Sequence, residues 1–205
     1  LTVVDLIRQH DIPALGNALR QALHRQGLQQ FVLETVSALN RAIGEAWMRG
    51  EIQVFEEHLY TEQMQALLRQ AIGALPPGSG RPRILLTTVP EEQHILGILM
   101  SEALLTLEGA GCVSLGTQTP LADIGLAAQA QQADIVALSF SSAFPTRQVA
   151  PLLKQLRGML AANIEVWAGG AGIERVAAPE GVRIMGSLDA ALDGLAQWRA
   201  SHPAH

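Results

Sequence analysis

One cysteine, Cys112, is present in 205 residues. A single thiol excludes an internal disulfide and cannot build a cysteine-based zinc or iron-sulfur centre, and it fits a reducing cytoplasm. Charge is scarce as well: Asp, Glu, Lys and Arg make up 16% of the chain, and acids outnumber bases to give a net charge of −5 and a pI near 5.6. That balance argues against a segment that grips nucleic acid, because affinity for polyphosphate rests on Lys and Arg. No basic patch or helix-turn-helix pattern stands out. No apolar run approaches the roughly 18 residues of a membrane span, and the N-terminus shows no basic stretch leading into an apolar signal core. Neither a membrane role nor export is expected. The first residue is Leu1 and not an initiator methionine, so the chain is expected to be a piece of something longer.

Hydrophobic residues make up 48% of the chain, ample for a buried core. From about Thr2 to Leu75 they recur at three- and four-residue spacing, as in Leu15, Leu19 and Leu23 or Val32, Val36 and Leu39. This periodicity predicts a bundle of four or five helices. Asp11 with Pro13 reads as a helix start, Gly27 as a break, and Gly50 as the end of the helix carrying Trp47. Pro76-Pro77-Gly78-Ser79-Gly80 has no apolar content, and the pattern changes directly after it. Short apolar runs then alternate with helical segments: Ile84 to Thr88, Cys112 to Leu115, Ile135 to Phe140, Ile164 to Ala168 and Val182 to Met185. Such alternation predicts a doubly wound, five-stranded parallel sheet. The expected fold class is therefore α followed by α/β, with a helical bundle over residues 1–76 and a Rossmann-like domain over 82–205.

Ligands of open α/β sheets gather at the carboxyl ends of the strands. Four such ends carry suggestive residues: Val89 to His94, Gly116 to Pro120, Ser139 to Ser142, and Gly169 to Gly172. Glu92 stands two residues before His94, where a carboxylate can hold one imidazole nitrogen while the other faces a metal. Gly97 would let a bulky planar ligand approach the backbone with no Cβ in the way. The same segment also reads as a helix cap with an exposed histidine. Serines at a strand end are commonly turn formers. Gly169 and Gly170 permit close approach of a flat or phosphate-bearing group, but a dinucleotide fingerprint belongs on the first strand-to-helix turn, where this chain has His94 instead. Upstream, Trp47 is followed after nine residues by Glu57-His58. Alone, these read as ordinary packing and a solvated helix face. His10 and His24 read as polar surface, His202 and His205 as a frayed tail, and Cys112 as a small core residue.

The four loops together resemble the cobalamin-binding domain, whose pattern is acid-x-His-x-x-Gly, then Ser-x-Leu after the third strand, then Gly-Gly after the fourth. The matching residues are Glu92, His94 and Gly97, then Ser139 and Ser141, then Gly169 and Gly170, within residues 82 to 200. The resemblance implies that His94 replaces the dimethylbenzimidazole as lower axial ligand of cobalt. It also implies that the displaced nucleotide tail enters beside the sheet near Ser139, Gly116 and the glycines. Two positions depart from the pattern: Glu92 stands where many relatives have aspartate, and Ser141 where an apolar residue is usual.

Trp47 with Glu57-His58 further resembles the CarH-type light-dependent regulators of the MerR family, which bind adenosylcobalamin. In that family the tryptophan packs against the adenosyl group on the upper face of the corrin. The resemblance implies that Glu57 and His58 contact the adenosyl group or the corrin edge, with Met48 close to the upper face. It implies, further, a cytoplasmic, adenosylcobalamin-binding sensor that forms a homo-oligomer in the dark and reaches DNA only through a domain preceding Leu1. An alternative is a corrinoid carrier domain for methyl transfer, although a methyl group needs no large contact surface. A third is a nucleotide-binding domain in which His94 is idle. No nucleophile with an adjacent base is visible, nor paired carboxylates placed for acid-base work, and no enzyme is expected.

Overall fold

The structure, a computed structural model, describes residues 2–78 and 80–203. The expectations placed on Leu1, Ser79 and His205 lie outside those residues. The chain divides into two compact units, Leu1–Leu75 and Pro76–His205.

In the helical unit, α1 (Val3–Arg8) opens with a capping box between Thr2 and Asp5, and α2 (Ile12–Gln26) opens on Asp11, whose carboxylate accepts the Ala14 N–H. Gly27, at φ +76°, ends α2. The chain then runs on through α3 (Leu28–Gln30), a π-helical stretch (Phe31–Val36) and α4 (Ser37–Met48) as one continuous rod. Arg49 and a left-handed Gly50 turn the chain, and α5 (Val54–Gly73) starts with a second capping box, between Gln53 and Glu56. The apolar stripe predicted from Leu15, Leu19, Val32 and Val36 is buried together with Phe31, Ile43, Met64 and Leu68. Tyr60 is buried among them and donates its hydroxyl to Asn40 Oδ1 at 2.6 Å.

The second unit is a five-stranded, all-parallel sheet in the order β2-β1-β3-β4-β5, as the alternating runs predict. The strands are β1 (Gly80–Thr87), β2 (Ala110–Ser114), β3 (Ile135–Ser139), β4 (Glu165–Gly169) and β5 (Val182–Met185). Strands buried on both faces need apolar side chains on both, which is why they read as short continuous runs. One face packs Leu85, Val136 and Val166 under α7 (Leu121–Ala130) and α8 (Thr146–Met159). The other packs Ile84, Leu86 and Trp167 under α6 (Leu96–Leu107) and α9 (Leu188–Ser201). Cys112 sits beside this second core, and burial pushes its thiol up to about 11, as a packing residue requires.

The strand order fixes where a site can form. β1 is followed by α6 on one face and β3 by α8 on the other, so the chain leaves these neighbouring strands in opposite directions. A crevice opens at such a switch point, between the loops after β1 and β3. Among the described residues no helix is long and apolar enough to cross a membrane, and no buried side-chain nitrogen or oxygen is without a partner.

Candidate functional site

The loop after β1 carries Glu92 and His94, and β3 ends on Ser139 with Ser141 in the loop beyond it, so the switch point brings Glu92 and Ser141 together from 49 residues apart. Glu92 is 1% exposed. Its Oε1 accepts the backbone N–H of His94 at 3.0 Å and lies 2.7 Å from His94 Nδ1. Its Oε2 accepts the backbone N–H of Ser141 at 2.8 Å. The Ser141 hydroxyl completes the group at 2.9 Å from Oε2 and 3.0 Å from His94 Nδ1. Burial pushes the Glu92 carboxyl up, but the bonds from His94 and Ser141 outweigh it and hold the group below its ordinary 4.5. An ionised carboxylate only accepts, so in the neutral imidazole the proton sits on Nδ1 and Nε2 is the basic nitrogen. The longer arm of glutamate still reaches its histidine at a normal hydrogen-bond distance.

Ser141, the second departure from the family pattern, bonds the acid through both its backbone N–H and its hydroxyl. At Gly97 a Cβ would come 2.2 Å from Ser139 Oγ, so the missing side chain lets the Ser139 hydroxyl approach the start of α6. Ser139 pairs in register with Gly169 at the ends of β3 and β4. Gly170, at φ +95°, and Gly172 lie so close to the backbone of Phe140 and Ser141 that a Cβ would approach those carbonyl oxygens to 2.2 and 2.3 Å. These glycines let the β4 loop support the β3 loop. Gly116, at φ +76°, shapes the β2 loop, and its carbonyl accepts the Thr87 hydroxyl at 2.9 Å.

In the helical unit Trp47 is 51% and Met48 74% exposed at the end of α4, and Val54 and Phe55 are exposed at the start of α5. Glu57 Oε2 lies 2.7 Å from His58 Nδ1, and Oε1 accepts the Thr61 hydroxyl at 2.7 Å, so the carboxylate is braced along its helix. Two histidines read as polar surface and as tail make specific contacts. His10, in a left-handed turn at φ +56°, places Nε2 3.0 Å from the buried Glu56 and its ring against Phe55. His202 stacks on Trp198 at 4.1 Å between ring centres. His24 is exposed on α2. Sequence reading also passed over Thr87 and Thr88, both fully buried at the end of β1; a polar pair closing an otherwise apolar strand was the available signal.

An imidazole with Nδ1 tied to Glu92 and 57% of its side chain exposed could supply one metal ligand through Nε2. Among the described residues no group of three or more His, Cys, Asp or Glu side chains could hold a bare metal ion. A single protein ligand suits a metal that arrives with its other positions filled by a macrocycle.

The fold is shared with the monomethylamine corrinoid protein of Methanosarcina barkeri, which superposes with a TM-score of 0.71 over 95% of this chain and 96% of that one at 17% identity. Residues 2–72 match the model of the B12 binding domain. The chain is similar to the HTH-type transcriptional repressor CarH of Myxococcus xanthus, with 30% identity over 162 residues, 79% of this chain and 54% of CarH. It is also similar to methionine synthase of Mycobacterium tuberculosis, at 26% identity over 77% of this chain and 14% of that enzyme. The chain thus spans about half the length of CarH and a small part of the synthase.

Proposed function

We propose that this chain is the adenosylcobalamin-binding, light-sensing effector region of a transcriptional regulator. The observation that carries the proposal is the buried Glu92 carboxylate, which fixes the orientation and tautomer of an exposed His94. His94 Nε2 would take the lower axial position of cobalt, with Glu92 and Ser141 as the partners that hold its ring and tautomer. The nucleotide tail would enter near Ser139, Gly169 and Gly170, beside the close approach of Gly97. Trp47, Glu57 and His58 would meet the adenosyl group, the indole through its apolar face and the braced carboxylate through a ribose hydroxyl. The exposure of Trp47 supports this, since a large apolar side chain left half in solvent suits a surface completed by a ligand.

Bound adenosylcobalamin would supply a cobalt-carbon bond that light can break. The chain's own part is to hold the cofactor, shield its upper face and convert loss of the adenosyl contact into a change of assembly. We assign no catalysis to it. Self-association into a homo-oligomer belongs to the adenosyl-bound dark state, and contact with DNA to a segment outside these 205 residues, whose net charge is −5. The similarity to CarH favours this reading over a methyl carrier.

The test is an absorption spectrum of the protein with adenosylcobalamin in the dark, then under green light, with size-exclusion chromatography of both samples. A spectral change accompanied by disassembly is expected, as is loss of the histidine-ligated spectrum in His94→Ala. Equal affinity for methylcobalamin and no change of assembly would favour a methyl carrier. An unchanged spectrum in His94→Ala would remove the ligand assignment.

A further inference from the structure

Thr88 lies at the carboxyl end of β1 with no exposed surface. Its hydroxyl donates to the Glu92 carbonyl at 2.6 Å and accepts the Gln118 N–H at 2.8 Å, while its own carbonyl accepts the Thr119 N–H at 3.0 Å. Both bonded segments contain a left-handed residue other than glycine, Glu91 at φ +70° and Gln118 at φ +59°. Such conformations persist only where the surroundings hold them. One hydroxyl here holds two, in neighbouring loops that enter on β1 and β2. On the far side Glu92 is held through its carboxylate by Ser141, from the loop after β3. A single line of hydrogen bonds, Ser141 to Glu92 to Thr88 to Gln118, therefore crosses three adjacent strand ends and passes through the residue that orients His94.

We propose that Thr88 is a positioning residue for His94: its hydroxyl fixes the Glu92 backbone so that the carboxylate meets His94 Nδ1, and it ties that geometry to the loop after β2. The job needs both a donor and an acceptor in a site closed to water, which threonine provides and the isosteric valine does not. Thr87 supplies a matched control. It is equally buried, and its hydroxyl bonds Gly116 O and Thr119 Oγ1, in the β2 loop, and more distantly the Thr88 carbonyl at 3.4 Å, without touching Glu92.

The inference rests on the assignment of His94 as cobalt ligand, and the test separates the two. Thr88→Val, Thr87→Val, Thr88→Ser and His94→Ala would be titrated with cobalamin and with cobinamide, which has no nucleotide tail, while the histidine-ligated absorption is recorded. In the cofactor-free proteins, hydrogen exchange of the His94 and Ser141 amides reports the loop directly. Thr88→Val is expected to weaken cobalamin binding about tenfold, to lower the histidine-ligated fraction and to speed exchange at both amides. Thr88→Ser should restore all three, and Thr87→Val should leave the two amides protected. Equal changes in Thr87→Val and Thr88→Val would mean that both threonines merely pack the strand end, and would overturn the proposal. So would wild-type exchange and spectrum in Thr88→Val when His94→Ala has lost its signal. An unchanged spectrum in His94→Ala sinks the ligand assignment itself. Should Thr88→Val fail to fold, Thr88→Cys, which keeps a weak donor, takes its place with an intermediate loss expected.

Discussion

Glu92 has 1% of its surface exposed and both its carboxylate oxygens in use, whereas Trp47, carried by the other unit, leaves 51% of its surface to solvent. The two sets of candidate residues are built on opposite principles. A metal ligand acts through one atom at one distance, so its orientation has to be settled before a metal arrives, and the sheet unit holds its candidate, His94, with a buried, charge-assisted network. A contact with a large organic group acts through area, and a side chain can wait in solvent for the surface that covers it. The first design spends folding stability on geometry, while the second leaves the fold indifferent to the residue. Substitutions in the two units should therefore part company when the cofactor-free protein is unfolded.

The largest expected effect is that of Glu92→Ala. It strips partners from the Ser141 and His94 amides and the His94 ring, and should lower stability by about 3 kcal/mol in a urea titration. A change below about 1 kcal/mol would mean that the network is less settled than its distances suggest. Gly97→Ala comes next, at about 1–2 kcal/mol, because its Cβ would meet Ser139 Oγ at 2.2 Å. The double variant Gly97→Ala with Ser139→Ala should recover most of that loss, and a double variant no better than the single would show that the clash lies elsewhere.

Acid offers a gentler probe. A carboxyl held below its ordinary value stabilises the fold at pH values above that value, and its contribution disappears as pH falls through the lower, folded-state value. Stability linked to Glu92 should therefore be full above pH 4.5 and decline below it, and Glu92→Gln should flatten that part of the curve. Parallel curves for the two proteins would count against an ionised Glu92. The smallest effect belongs to Trp47→Ala, with less than about 0.5 kcal/mol expected in the cofactor-free protein but a clear loss of preference for adenosylcobalamin over methylcobalamin by titration calorimetry. A large stability loss there would place Trp47 in the core and erase the contrast between the units.

Much of this was readable in the residues. Ile84 to Thr88 and Ile135 to Phe140 read as strands because a sheet covered on both faces needs apolar side chains at every position, and the acid-x-His-x-x-Gly spacing survives in any sequence that keeps the loop. Partnerships between distant loops were not readable. Ser141 serves Glu92 because the strand order seats β1 beside β3, and His10 meets Glu56, 46 residues away, because the bundle brings a turn to the start of α5. Thr88 looked like the last residue of a strand, since its importance lies in two backbone groups that carry no signature of their own. The close approach of Ser139 Oγ to Gly97 was likewise not readable, because it depends on which strand lies beside β1.

The π-helical stretch Phe31–Val36 interrupts the rod that ends at Met48. A π turn amounts to about one residue more than the α-helix needs, and each residue turns an α-helix by about 100°. The stretch thus works as an aiming device. Deleting one residue within it would restore a plain helix of nearly the same composition, but swing Trp47 a quarter-turn or more about the axis and point its indole in another direction.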